Sequence, residues 1–209
     1  MKNILVVTGG AGFIGSNLIE ELSKFSKYKI ISLDNYSSGT KKNHIKNSKI
    51  KYLKANTSDS NKILKNYSKN IHAIFHFGEF ARIFQSFKKF DECCDSNIKG
   101  TYELFKFALK NRIRIIYSAT SANLGNQGQD MNLSPYAFTK ANNLELLENF
   151  NKWFDLKYEV IYFYNVYGPR QICKGDMATV VGIFEDHFLS GKKLPVVNPE
   201  RRLEDLLMS

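Results

Sequence analysis

Ile4-Leu5-Val6-Val7-Thr8-Gly9-Gly10-Ala11-Gly12-Phe13-Ile14-Gly15 decides the reading of this chain. Ile4–Val7 is a short apolar run of the kind that forms a buried parallel strand. From Phe13 to Leu22 the apolar positions recur at helical spacing. Strand, glycine turn and helix in that order are the context that makes a glycine pattern a dinucleotide-binding expectation. Gly9 permits the tight turn, Gly12 lets backbone approach a pyrophosphate, and Gly15 lets helix and strand pack closely. The N–H groups opening the helix, at Phe13 and Ile14, face the phosphates.

The same motif asks for an acidic residue about twenty positions further on, at the end of the second strand. Lys29-Ile30-Ile31-Ser32-Leu33-Asp34 supplies it. A carboxylate at Asp34 accepts from the adenosine ribose hydroxyls and repels a 2′-phosphate, so the expected cofactor is NAD rather than NADP. The plainer alternative is that Asp34 merely starts the turn running to Gly39.

Outward from these motifs the pattern alternates. Strand-like runs stand at Ile4–Val7, Lys29–Leu33, Ile50–Leu53, Ala73–Phe77, Ile113–Tyr117 and Glu159–Phe163. Helical stretches lie between them at Ile14–Phe25, near Lys62–Tyr67, at Phe90–Lys110 and at Pro135–Phe154. Such alternation predicts an α/β fold, a doubly wound parallel sheet of Rossmann type. The strand ends carrying Gly9, Asp34, Asn56, Gly78, Thr120 and Asn165 then share one edge, where ligands bind. A further helix is expected at Thr179–Leu189 and a short strand at Leu194–Val197.

The bulk numbers suit a globular chain: 209 residues, 43% hydrophobic and 24% charged. No apolar run is long enough to span a membrane, and because the N-terminus runs directly into strand and glycine turn, no signal peptide is expected. The net charge is +10, but the lysines are scattered singly and in pairs. No basic helix with interleaved aromatics appears, so no nucleic-acid partner is expected. Cys93, Cys94 and Cys173 have no metal-ligand spacing; no metal is expected, and reduced thiols fit a cytoplasmic protein.

Ser134-Pro135-Tyr136-Ala137-Phe138-Thr139-Lys140 carries the chemistry. Tyr136 and Lys140 are four apart at a helix start and share a face. A free tyrosine, with a pKa of about 10, is a poor base at neutral pH; a nearby ammonium and a cationic nicotinamide both favour the phenolate. The strand Arg114–Tyr117 runs on into Ser118-Ala119-Thr120-Ser121, and a hydroxyl there can bond the substrate oxygen.

With these motifs the chain resembles the extended short-chain dehydrogenase/reductases, in their NAD-dependent nucleotide-sugar epimerase/dehydratase group. The resemblance runs from Met1 to about Val197. Its matches are Thr8–Gly15, Asp34-Asn35, Phe75-His76-Phe77, Asn97-Ile98-Lys99-Gly100-Thr101, Ser134-Pro135-Tyr136 with Lys140, and Asn165-Val166-Tyr167-Gly168-Pro169-Arg170. It implies Tyr136 as general base and acid, Lys140 on the nicotinamide ribose, and Thr120 as the catalytic hydroxyl, with Ser118 and Ser121 as alternatives in register. It further implies cofactor contacts at Asn35, Asn56, Thr57, Phe77, Gly78 and Asn97, and substrate contacts at Ser86, Thr120 and Asn165. Asn97 is also expected to hold the helix that shapes the site. Two positions depart from the family: Asn56-Thr57 stands for Asp-Ile, and Glu79 replaces a small residue.

Ser121-Ala122 lack the acid that dehydratases of this group carry after the catalytic hydroxyl. Epimerisation of a nucleotide hexose is therefore expected, with C4 chosen from family frequency. Alternatives are an NDP-sugar dehydratase and a non-catalytic NAD-binding remnant. The resemblance also implies a role in polysaccharide biosynthesis and a homodimer paired through four helices, Phe90–Lys110 and Pro135–Phe154 from each chain. After Pro199-Glu200-Arg201-Arg202 the match dissolves, giving a Rossmann domain at 1–175 and an incomplete substrate domain at 176–209.

Overall fold

In the computed structural model of the chain, residues 2–121, 132–175 and 177–195 are described. Strand β1 (Ile4–Thr8) is buried along its whole length. Helix α1 (Phe13–Ser23) leads into β2 (Lys29–Asp34), and β3 (Ile50–Lys54) follows. Short α2 (Ser60–Leu64) precedes β4 (Ile71–His76). Then come α3 (Ile83–Lys88), α4 (Phe90–Cys94), α5 (Thr101–Lys110), β5 (Arg114–Thr120), α6 (Pro135–Phe154) and β6 (Tyr158–Phe163).

The six strands are ordered β3-β2-β1-β4-β5-β6 and every pair is parallel. This is the doubly wound sheet that the alternation predicts. The order reverses between β1 and β4, where Thr8 pairs with His76. Helices turning to opposite faces on either side of that point leave a crevice above it.

One face of the sheet packs Val6, Ile31, Leu33, Ile74, Ile115 and Tyr117 against Leu104 and Phe105 of α5 and Leu147 and Phe150 of α6. The other packs Val7 and Ile30 against Ile19 of α1. Each such side chain contributes about 1.5–3 kcal/mol when fully buried. Phe105 meets Tyr117 and His76 edge-on, with centroids at 5.7 and 6.1 Å.

Two local features differ from the expected elements. Phe90–Lys110 is not one regular helix: Asp95–Gly100 between α4 and α5 is wound as a π-helix. This turn is also closely packed. A Cβ on Gly100 would lie 2.2 Å from Thr57 Oγ1, so the helix passes Thr57 at backbone distance. Helix α3 has no counterpart in the expected elements: it is only six residues long, and its apolar side chains Ile83, Phe84 and Phe87 are exposed rather than packed into the core.

Residues through Arg170 form one compact unit and those from Gln171 a second, smaller one. The latter contains α7 (Val180–Leu189), capped by Thr179, whose Oγ1 accepts the Gly182 N–H at 3.0 Å. Leu194 and Pro195 have no regular structure; Val196, Val197 and the segment Arg201–Ser209 lie outside the described residues. No helix among the described residues is long and apolar enough to cross a membrane.

Candidate active site

The floor of the crevice is backbone on backbone. Gly9 has a φ of +68°, and a Cβ there would lie 2.8 Å from the carbonyl of Phe77. Gly78 is equally close to Gly9 N. Thr8 ties the two turns together: its Oγ1 accepts the N–H of Phe77 at 3.1 Å and of Gly78 at 2.9 Å. Gly12 caps α1 without a side chain, so the first-turn N–H groups at Phe13 and Ile14 have no capping acceptor from that residue. Gly15 sits against Gly9, where a Cβ would meet Gly9 O at 2.2 Å.

Asp34 ends β2 beneath this loop and is buried. Oδ2 accepts the Ala11 N–H at 2.9 Å and Oδ1 the Tyr36 N–H at 2.7 Å. Each carboxylate oxygen keeps a second lone pair. Beside it a cleft of about 400 Å³ is lined by Asn35, Tyr36, Lys54 and Asn56 among others. Asn35 Nδ2 donates to Asn56 Oδ1 at 2.9 Å. Tyr36 bonds His44, which stacks on Tyr52 at 3.7 Å. Thr57 is buried against Gly100. A glycine floor, a bare helix N-terminus and an acceptor carboxylate in this order fit a dinucleotide diphosphate and its ribose.

Across the crevice, β5 and α6 bring the hydroxyls together. Ser134 Oγ accepts the Ala137 N–H at 3.0 Å and, with Pro135, starts α6. That places Tyr136 in the first turn, partly buried, with Thr120 of β5 next to its phenol. Burial pushes the Tyr136 phenol up, and the Glu79 charge adds to this; Thr120 works the other way. Ser118, one strand pair back, donates instead to His76 O at 3.0 Å. Ser121 follows the end of β5 and is partly exposed.

Lys140 is buried, and its Nζ bonds the Glu79 carboxylate, Ser118 O and, at 3.3 Å, Ser118 Oγ. It also lies 4.5 Å above the Tyr117 ring. Burial works against ionisation of Glu79, but the Lys140 ammonium, His76 and the hydrogen bonds from Lys140 and Thr101 together outweigh it and hold the carboxyl below its usual range. Asn97 is buried in the π-helical turn. Its side chain accepts the Phe80 N–H at 2.6 Å and donates to Phe80 O and Thr139 Oγ1. It thus pins the loop after β4 to α6. Ser86 is buried on α3, and its Oγ accepts the Tyr136 N–H at 3.2 Å. Asn165 is exposed just past the end of β6.

Four residues absent from the expected site join it: His76, Thr101, Tyr117 and Asn143 all connect to Glu79 or its neighbours. Asn143 carried a readable signal, since it follows Lys140 by one helical turn.

Comparison with known proteins agrees with this geometry. The family model described as NAD dependent epimerase/dehydratase family matches residues 5–208. An ADP-L-glycero-D-manno-heptose-6-epimerase of Brachyspira hyodysenteriae is 25% identical over 205 residues, 92% of this chain and 64% of that protein. The UDP-glucose 4-epimerase of Thermotoga maritima, solved with UDP-glucose, superposes with a TM-score of 0.84 at 29% identity. The match covers 94% of this chain and 66% of that one. The UDP-N-acetylglucosamine 4-epimerase of Methanobrevibacter ruminantium, solved with UDP-N-acetylmuramic acid, gives 0.82 at 30%, with coverage of 94% and 66%. The chain spans just under two thirds of the length of each of these relatives. With the glycine crevice, the strand-end carboxylate and the Tyr136–Thr120 pair on one sheet edge, the chain belongs to the NAD-dependent epimerase/dehydratase family.

Proposed function

We propose that this chain carries the cofactor and proton-transfer half of a nucleotide-sugar epimerase acting at C4 of an NDP-hexose. The observation that carries it is that α6 and the end of β5 bring Tyr136 and Thr120 together, on the same sheet edge that carries the glycine turn and Asp34.

The residues divide by role. Gly9, Gly12, Gly15 and the N–H groups of Phe13 and Ile14 hold the diphosphate of NAD, and Asp34 takes the adenosine ribose. Asn35, Asn56 and Thr57 border the adenine, while Phe77, Gly78, Asn97 and Lys140 shape the nicotinamide end. When bound, NAD supplies a reversible hydride acceptor at its nicotinamide. Tyr136 takes the proton of a sugar hydroxyl as its carbon becomes a carbonyl, and returns it once the sugar has turned over. Thr120 aligns the oxygen that loses and regains this proton. Ser86 positions the Tyr136 backbone, and Asn165 borders the sugar end of the crevice. The relatives differ in sugar and in carbon, so C4 rests on the 4-epimerases among them.

A cytoplasmic place in polysaccharide synthesis belongs to this reading and rests on the family resemblance. So does a homodimer, supported by exposed Phe90, Ile98 and Tyr102 on one helical stretch and Trp153 on α6.

The first test is to denature the purified chain and identify released nucleotide by mass spectrometry. Recovered NAD followed by turnover of UDP-glucose or UDP-N-acetylglucosamine supports the reading. A protein still empty after incubation with NAD refutes it for this chain. In an active preparation, Tyr136→Phe retains the nucleotide and lowers turnover by about 100-fold or more.

A further inference from the structure

Glu79 stands at the centre of a buried polar network. Its carboxylate meets four groups from three elements: Lys140 and Asn143 on α6, Thr101 on α5 and Tyr117 on β5. Thr101, Tyr117 and Asn143 all bond Oε1, at 3.0, 3.2 and 2.9 Å, and Lys140 bonds Oε2.

The direction of each bond follows from its neighbours. Thr8 Oγ1 already accepts two backbone N–H groups, so its proton goes to His76 Nδ1, 2.8 Å away. His76 is then protonated at Nε2, which donates to Thr101 Oγ1 at 2.8 Å. Thr101 in turn donates to Glu79. Asn143 Nδ2 faces two acceptors, Glu79 Oε1 and Asn97 O, so its amide orientation is fixed as a donor. Every partner of Glu79 therefore donates, which is the environment of a carboxylate and not of a carboxylic acid.

Lys140 is equally committed. An ammonium has three N–H donors, and here they go to Glu79, Ser118 O and Ser118 Oγ. None is left for Tyr136, one turn away on the same helix. A buried ion pair is weak evidence for stability but a strong constraint on position.

We propose that Glu79 is a positioning residue: it locks the Lys140 ammonium and offsets its charge beside Tyr136, so that in the cofactor-free chain the ammonium does not favour the Tyr136 phenolate. The proposal rests on the reading of Tyr136 as the proton-transfer group, but its test needs neither NAD nor sugar. The other charged and titratable groups facing Tyr136 are Arg82 ahead of α3, Cys93 of α4 and Tyr117 of β5. Arg82 opposes the effect of Glu79 and is untouched by the variants below.

The experiment uses the full cofactor-free chain. Tyrosinate ultraviolet absorbance is followed against pH in wild type, Glu79→Gln and Glu79→Asp, each paired with the same chain carrying Tyr136→Phe. The difference within each pair isolates Tyr136. In Glu79→Gln its ionisation should move down by about one pH unit or more, because the ammonium loses its counter-ion. Glu79→Asp, which keeps the charge, should restore the wild-type curve. An unmoved or upward-shifted curve in Glu79→Gln overturns the proposal, as does a Glu79→Asp curve that follows it. A packing role alone leaves all three curves together. Should Glu79→Gln fail to fold, carbon-13 carboxyl resonances of wild type decide. Glu79 ionised at neutral pH and titrating below the ordinary carboxylate range supports the proposal; a protonated Glu79 there overturns it.

Discussion

Gly15→Ala separates local helix preference from the close approach that the glycine turn requires. Gly15 lies inside the first turn of α1. Alanine is favoured over glycine in a helix interior by about 0.8–1 kcal/mol, so local preference alone makes the change stabilising. The structure says the opposite. The new Cβ would lie 2.2 Å from Gly9 O and 2.8 Å from Gly10 Cα, where ordinary contact begins at 3.4 Å. The atoms in the way are backbone, so the start of α1 must back off from the turn by about 1 Å. Overpacking of this kind costs about 1–3 kcal/mol, and a backbone obstacle belongs at the upper end. Subtracting the helix preference leaves about 2 kcal/mol of net destabilisation, a fall in Tm of about 4–8 °C for a chain of this size. Urea unfolding followed by circular dichroism, with calorimetry for Tm, reads this directly. A midpoint equal to or above wild type would refute the close approach and with it the geometry of the diphosphate floor.

Acid should weaken the fold before the carboxylates titrate. Burial holds His76 down at about 4, from an ordinary value of 6.5. The folded state thus disfavours the proton that the unfolded chain accepts. The stabilisation is complete above pH 6.5 and is lost as the pH falls towards 4. Between pH 6.5 and 5 the loss is about 1.5 kcal/mol; His44, also shifted down by burial, works in the same direction. Urea unfolding at both pH values checks the sum, and an imidazole NMR resonance for His76 that titrates above pH 6 would contradict it. Asn97→Ala should cost about 1–3 kcal/mol, because it removes a side-chain partner from the half-buried Phe80 N–H and carbonyl. A loss below about 0.5 kcal/mol in chemical denaturation, the range of an ordinary surface change, would mean that the loop after β4 is held by something else.

What the sequence made legible was local. Thr8–Gly15 and Asp34 announce the first βαβ unit because strand period, turn chemistry and helix period all fall within one short stretch. Pro135–Phe154 was readable to the residue because Ser134-Pro135 is a capping signal and the helix runs to Asp155, which takes a left-handed φ of 59°. The π-helical turn at Asp95–Gly100 was not readable. Its neighbours Thr57 and Phe80 are brought there by other elements. Glu79 marks the boundary between the two cases. Its oddness was visible as a carboxylate after an apolar strand, but its four partners lie 22, 38, 61 and 64 residues away. The hydroxyls at the end of β5 are similar: Ser118, Thr120 and Ser121 look alike in sequence, and only the strand's pleat and the position of α6 place Thr120 beside Tyr136.

The sheet has two outer strands of opposite character. On β3 the exposed positions are Lys51 and Lys54, which repel a second copy of themselves and deter pairing. On β6 they include Ile161 and Tyr162, with Tyr164 and Tyr167 exposed just beyond. Charge guards one rim, while on the other, among the described residues, no further strand pairs with β6. The two rims therefore differ in what they present to an approaching strand: lysines at β3, and aliphatic and aromatic side chains with one glutamate, Glu159, at β6.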